Sequence, residues 1–80
     1  MTKKEKMLAI LKSVKPGKDL SGITDIIEGG YIDSFELMTL ITEICEQFSV
    51  EVTVDEIVPE NFNSVDAMVA MVEMLEGRED

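Results

Sequence analysis

The sequence predicts an all-α fold: a small four-helix bundle with three longer helices and one short helix. Three segments place apolar residues at helical spacing, and residue patterns typical of a helix start precede them. The stretch SVEVTV at 49–54 alternates like a strand, but no other stretch offers a matching alternation, so we interpret it as an extended connector. At 80 residues, the chain is expected to form one small domain over 1–80.

The first predicted helix begins after Thr2, which stands with Glu5 at the spacing of a capping box. Pro16 and Gly17 stop its pattern. Its apolar stripe comprises Met7, Ile10, Leu11 and Val14. No helical period is sustained over residues 15–33, which predicts a long loop between helices one and two. Its apolar residues are expected to attach it to the core, and loops of this length are uncommon and often functional.

The second predicted helix, from about Ser34 to Phe48, has the clearest amphipathic pattern in the chain. Its stripe comprises Leu37, Leu40, Ile41, Ile44 and Phe48. Thr53 and Glu56 repeat the capping-box spacing and predict a short third helix that Pro59 ends. Phe62 is expected to fill the core nearby.

The last predicted helix runs from about Ser64 to Glu76, with Gly77 as its stop. Its buried face is expected at Val65, Met68, Val69, Val72 and Leu75. The methionines of this region are interpreted as core or core-edge residues, and the alternative is that they line a deformable cavity. These methionines are Met68, Met71 and Met74.

Charge and composition exclude several classes of function. The formal net charge is −10, and residues 19–77 contain fourteen acids and no lysine or arginine. This surface argues against nucleic acid as a ligand and predicts attraction to basic partners. The chain has no histidine and one cysteine, Cys45, which excludes disulfides and zinc sites. No apolar run approaches the ~20 residues that span a bilayer, and no secretory signal is present, so we expect a cytoplasmic protein outside the membrane.

The start of the second helix, Asp33-Ser34-Phe35-Glu36, poses the main functional question. Serine is a preferred helix cap, and Asn63-Ser64-Val65-Asp66 opens the last helix with the same kinds of residue, so the pattern alone indicates only a helix start. If Asp33 is the cap, Ser34 occupies the first helical position with an unused hydroxyl. With no histidine in the chain and every lysine before Asp19, Ser34 lacks a base, so we expect no catalytic residues.

The phrases GGYIDSFEL and FNSVDAM, set in this helix order, resemble the acyl and peptidyl carrier proteins over nearly the whole chain. The resemblance implies that Ser34 carries 4′-phosphopantetheine, attached from coenzyme A by a phosphopantetheinyl transferase. It implies that Asp33 is the adjacent acid that helps to position magnesium in that enzyme. The implied function is a non-catalytic, free-standing acyl carrier protein that presents thioesters to the enzymes of fatty-acid, polyketide or related biosynthesis. An aminoacyl or peptidyl carrier, loaded by a dedicated adenylating ligase, remains an alternative.

The family uses the second helix and its acids to meet basic patches on partner enzymes. On a helical wheel, the residues beside the core stripe are Ser34, Met38, Thr42 and Cys45, and the acids further round are Glu36, Glu43 and Glu46. Each has a simpler interpretation: Met38 as a packing residue, Cys45 as a small border hydrophobe, and the acids as a solvated face. A hypothesis of another class is an acidic helical interaction module in which Ser34 is only a cap. We expect a monomer without a metal site.

Overall fold

The computed structural model describes residues 1–78, which form four α-helices and one short 3-10 helix and contain no β-strand. The helices are α1 (Lys3–Val14), α2 (Ser34–Phe48), α3 (Pro59–Phe62) and α4 (Val65–Arg78), and the 3-10 helix covers Val54–Glu56. The predicted all-α bundle of three longer helices and one short helix is therefore confirmed. No helix in the described residues is both long and apolar enough to cross a membrane.

The core lies between the three long helices. Helix α1 contacts both α2 and α4, and α3 contacts α4. The predicted stripes supply most of the core, and Phe62 is 1% exposed, as expected. Leu37 and Val69 are half-buried at its edge, whereas Met68 and Met71 lie inside it. The prediction was wrong for Met74, which is 45% exposed because it lies on the outer face of α4. Burying each large apolar side chain stabilises the fold by roughly 1.5–3 kcal/mol, which explains why the stripes determine the helix packing.

The loop between α1 and α2 is ordered by Asn63, the residue that ends α3. The Asn63 side-chain Oδ1 accepts hydrogen bonds from the backbone N–H of Ile27 at 3.0 Å and of Glu28 at 3.2 Å. The Asn63 carbonyl accepts a third, from the N–H of Ile26 at 2.9 Å. Ile26 itself is fully buried. The loop is therefore attached to the α3–α4 junction by polar contacts as well as by its apolar residues.

Two glycines shape the end of this loop. A Cβ on Gly29 would lie 2.7 Å from the Asp25 carbonyl oxygen, so that position has no room for a side chain. Gly30 has a φ of +74°, in the left-handed region that glycine adopts at little cost. The turn that precedes α2 therefore requires this glycine pair.

The short helical region differs from the sequence prediction. Pro59 does not end a helix but occupies the first position of α3, after the separate 3-10 turn. Proline suits that position because its fixed φ is helical and its missing N–H needs no partner there. The extended connector before the turn is confirmed, and Val50 within it is buried.

The end of α4 also differs. Gly77 does not stop the helix, which continues to Arg78. The Arg78 guanidinium donates to the Glu56 carboxylate at 3.1 Å, which joins the last turn of α4 to the 3-10 helix. Glu56 is only 4% exposed, and hydrogen bonds from the Thr53 hydroxyl and backbone N–H, with a smaller contribution from Arg78, lower the pKa of its carboxyl. A glycine in a helix costs about 1 kcal/mol, so this contact and the favourable position of a cation at a helix C-terminus offset that cost.

Candidate functional site

The site begins with the cap of α2. The Asp33 carboxylate accepts a hydrogen bond from the Glu36 N–H at 2.7 Å, and the Glu36 carboxylate accepts one from the Asp33 N–H at 2.9 Å. This reciprocal pair is a complete capping box, and Asp33 has the extended backbone typical of an N-cap. The prediction that Asp33 caps the second helix is confirmed.

Ser34 is consequently the first residue of α2 and is exposed. Its hydroxyl takes part in none of the side-chain hydrogen bonds formed within residues 1–78. The backbone N–H groups of a first helical turn lack intrahelical partners and favour a negative charge nearby. Ser34 is thus a solvent-facing hydroxyl on a rigid helix start, at a position suited to an anionic group.

The equivalent serine of α4 has another role. The Ser64 hydroxyl accepts a hydrogen bond from the Ala67 N–H at 3.0 Å, and the Ser64 carbonyl accepts one from the Met68 N–H at 3.1 Å. These are the bonds of an N-cap. Ser64 is therefore used by the fold.

A contact from Lys15, the residue that follows α1, supports the α2 cap. The ammonium group of Lys15 lies 3.2 Å from the Glu36 carboxylate, whose side chain is 25% exposed. Sequence reasoning missed this contact because the two residues are far apart in the chain and Glu36 was assigned to partner recognition. Glu36 thus contributes to the rigidity of the segment that presents Ser34.

Four exposed residues at i, i+4 spacing form a continuous row on α2. They are Ser34, Met38, Thr42 and Glu46, which we call the α2 ridge. Met38 is 57% exposed, so it is not the packing residue of the alternative interpretation. The Thr42 hydroxyl donates to the Met38 carbonyl at 3.0 Å. The helix thus brings three of the predicted recognition residues into line with Ser34.

The remaining predicted recognition residues lie elsewhere. Glu43 and Cys45 are half-buried, and Glu43 lines a cavity with Lys6 and Ile10 of α1. Glu36 is bound by the cap and Lys15. Phe35, which was not among the predicted recognition residues, is 83% exposed directly beside Ser34. Its position outside the apolar stripe of α2 was the signal that could have identified it.

The profile of the phosphopantetheine attachment site family matches residues 6–72, which include all of α2 and most of the bundle. The chain belongs to this family. No curated protein matches it. Membership establishes a phosphopantetheine carrier domain whose cofactor is covalently bound 4′-phosphopantetheine. Domains of this family are generally non-catalytic carriers that interact with a phosphopantetheinyl transferase and with biosynthetic enzymes.

The residues at the start of α2 fit such a group. Attachment requires a hydroxyl that is reachable from solvent and not needed by the fold, and Ser34 has both properties. A phosphodiester there would gain from the helix N-terminus, although the Asp33 and Glu36 carboxylates oppose part of that gain. The cap bonds of both carboxylates compensate their charge in part.

Proposed function

We propose that Ser34 is the residue to which the carrier's 4′-phosphopantetheine arm is attached. The observation that carries this proposal is the exposed, unbonded Ser34 hydroxyl at the first position of α2. Because Asp33 performs the capping that would otherwise explain a serine there, the hydroxyl is available for modification. Asp33 is the acid beside the attachment point and is proposed to assist magnesium binding in the modifying enzyme.

Attachment is a phosphoryl transfer from coenzyme A. The Ser34 oxygen forms a bond to phosphorus, the diphosphate bond of coenzyme A breaks, and the nucleotide portion leaves. The hydroxyl proton passes to a base of the transferase, because residues 1–78 place no histidine or lysine contact on Ser34. When bound, the arm supplies a thiol that holds cargo as a thioester.

The cargo is proposed to be an acyl group, carried between enzymes of fatty-acid, polyketide or related biosynthesis. An aminoacyl or peptidyl cargo, loaded by a dedicated adenylating ligase, is the alternative. The family match over residues 6–72 supports a carrier of either kind. The protein itself performs no chemistry on the cargo in this proposal.

Partner enzymes are proposed to recognise the α2 ridge together with Phe35. Phe35 and Met38 are exposed apolar side chains that flank Ser34, and Glu46 adds a negative charge at the far end of the ridge. Exposed apolar groups beside acids suit a partner with a hydrophobic depression and a basic rim. Glu43 and Cys45 are half-buried and contribute less to this surface, and Glu36 acts mainly through the cap.

The proposal is tested by incubating the protein with coenzyme A, magnesium and a broad-specificity transferase, and following the intact mass over time. We expect complete conversion to a species heavier by one arm. Phe35→Ala is expected to slow conversion several-fold at low protein concentration, because it removes an apolar contact that stabilises the complex with the transferase. Met74→Ala, which removes an exposed apolar side chain from α4 instead, is the matched control and should convert at the original rate.

Two results would contradict this proposal in different ways. Absence of any added mass would refute Ser34 attachment and favour the acidic interaction module, in which Phe35 and Met38 bind another protein without a prosthetic group. Equal rates for Phe35→Ala and the unaltered protein would refute the proposed recognition surface alone.

A further inference from the structure

The start of α2 already carries negative charge, and attachment of the arm adds more. Asp33 and Glu36 form the capping box on either side of Ser34, and residues 19–77 contain fourteen acids and no lysine or arginine. A phosphodiester on Ser34 adds one further negative charge. The helix N-terminus is equivalent to only about half of a positive elementary charge. Any further compensation must therefore come from a cation outside residues 19–77.

Lys15 supplies a cation at this helix start. Its ammonium group lies 3.2 Å from Oε2 and 3.4 Å from Oε1 of Glu36. The same Oε1 accepts the hydrogen bond from the Asp33 N–H at 2.9 Å. A single carboxylate oxygen thus connects Lys15 to the backbone of the residue directly before Ser34. The side chains of Lys15 and Glu36 are only 37% and 25% exposed, so solvent screens this pair less than a fully exposed one.

The backbone of Lys15 is fixed by the end of α1. Lys15 is the C-cap of that helix, and its N–H donates to the Leu11 carbonyl at 2.8 Å. Leu11 is a core residue with 3% of its surface exposed. The side chain of Lys15 therefore extends to the α2 cap from a backbone position that is attached to the core.

The other lysine contacts of α1 lead elsewhere. Lys3 and Lys4 form ion pairs with acids of α4, and Lys6 donates to the Gln47 carbonyl near the end of α2. Within residues 1–78, the ion pair that reaches the α2 cap is that of Lys15. The Lys4–Asp66 pair, at 3.3 Å, occupies the corresponding place at the start of α4, but its carboxylate is 82% exposed. The two helix starts thus each have one lysine, and the less exposed pair belongs to the start that presents Ser34.

We propose that Lys15 is a positioning residue for the prosthetic group, an inference that rests on the proposed attachment at Ser34. Its ammonium group compensates the charge of Glu36, so that the phosphodiester on Ser34 meets one uncompensated carboxylate rather than two. The same contact holds Glu36 in its bond to the Asp33 N–H, which keeps the cap intact once the arm is present. Lys15 acts through Glu36 and needs no contact with the arm.

The experiment measures how attachment changes the melting temperature. The full chain and its variants are compared before and after loading with coenzyme A, magnesium and a transferase, and intact mass confirms each form. Attachment should lower the melting temperature of Lys15→Gln by about 2–4 °C more than that of the unaltered protein. A merely structural role would lower both forms equally and leave this change unaffected. The excess should disappear in about 1 M salt, where the screening length is roughly 3 Å.

Three further variants locate the effect. Lys15→Arg keeps the charge and should restore the change seen in the unaltered protein. Lys4→Gln makes the same change in net charge but removes the ion pair at the α4 start, and attachment should affect it as it affects the unaltered protein. Glu36→Gln retains a residue suited to the capping box and leaves the charge of Lys15 unpaired, so attachment should be more favourable than in the unaltered protein.

The outcomes separate this inference from the proposed attachment. Equal changes on attachment in Lys15→Gln and in the unaltered protein overturn the role of Lys15 and leave the Ser34 proposal intact. An excess of the same size in Lys4→Gln also overturns it, because the effect would then follow net charge alone. Glu36→Gln without a more favourable change overturns the part assigned to Glu36. Absence of any added mass in the unaltered protein overturns both proposals.

Discussion

The two helix starts of this carrier domain use nearly the same residues in different ways. At α2, Asp33 caps the helix and the following serine, Ser34, is exposed without a hydrogen bond. At α4, the equivalent serine, Ser64, is itself the cap, through its bond from the Ala67 N–H. The capping role has therefore moved by one residue between two segments that look alike in sequence.

The reason lies in the residue before each serine. Asn63 precedes Ser64, and its side-chain oxygen is occupied by the backbone N–H groups of Ile27 and Glu28 in the long loop. With Asn63 engaged there, capping falls to Ser64. Asp33 has no such long-range partner within the described residues, and its carboxylate accepts the hydrogen bond from the Glu36 N–H of its own helix. The loop contact at one helix start thus accounts for the difference from the other.

The largest effect is expected from removing that loop contact. Asn63→Ala leaves the N–H groups of Ile27 and Glu28 without their acceptor, and we expect a loss of about 2 kcal/mol or more of unfolding free energy. In a domain of this size, this corresponds to a fall in melting temperature of roughly 8–16 °C. Asn61→Ala, which removes a single bond to the Glu56 carbonyl, is the control. Equal losses of unfolding free energy in the two variants would show that the hydrogen bonds from the loop to Asn63 add no particular stability.

Removing each cap tests the comparison directly. Asp33→Ala and Ser64→Ala should each cost about 1 kcal/mol, because each deletes the acceptor of an N-terminal N–H group. Ser34→Ala deletes no such bond and should change stability by less than about 0.5 kcal/mol. Thermal or urea unfolding measures all three. A loss in Ser34→Ala as large as that in Ser64→Ala would break the distinction between the two serines.

A smaller effect is expected in acid and concerns the third helix start, at the 3-10 turn. Because hydrogen bonds from Thr53 lower the pKa of Glu56 in the folded protein, its stabilising contribution is complete above the ordinary glutamate pKa of about 4.3. The contribution is lost as the pH falls from there through the lower pKa of the folded state. As the pH is lowered below 5, the melting temperature of Glu56→Gln should therefore fall less than that of the unaltered protein. Parallel curves would show that Glu56 does not contribute in this way.

Local patterns were sufficient for much of this comparison. The apolar stripes predicted the three long helices, because burial of a stripe determines which face of a helix packs inward. The spacing of Asp33 and Glu36 predicted the α2 cap, because a capping box involves only residues of one helical turn. The expectation that Ser34 has an unused hydroxyl followed from that cap.

Contacts between distant segments were not predictable in the same way. The bond from Asn63 to the loop joins residues more than 30 positions apart. The Lys15–Glu36 pair and the Arg78–Glu56 contact likewise depend on how the helices pack. Tertiary contacts also decide that α4 continues through Gly77 and that α3 begins at Pro59. Glycine or proline alone indicates only that a helix boundary, either a start or a stop, is near.

The most direct test of the account is to determine which of the two serines, Ser34 or Ser64, carries the arm. The protein and its Ser34→Ala and Ser64→Ala variants are incubated with coenzyme A, magnesium and transferase, digested, and sequenced by tandem mass spectrometry. The account predicts the arm on the Ser34 peptide of the unaltered protein, normal loading of a folded Ser64→Ala variant, and no loading of a Ser34→Ala variant that retains its stability. An arm found on Ser64, or retained in Ser34→Ala, would contradict it.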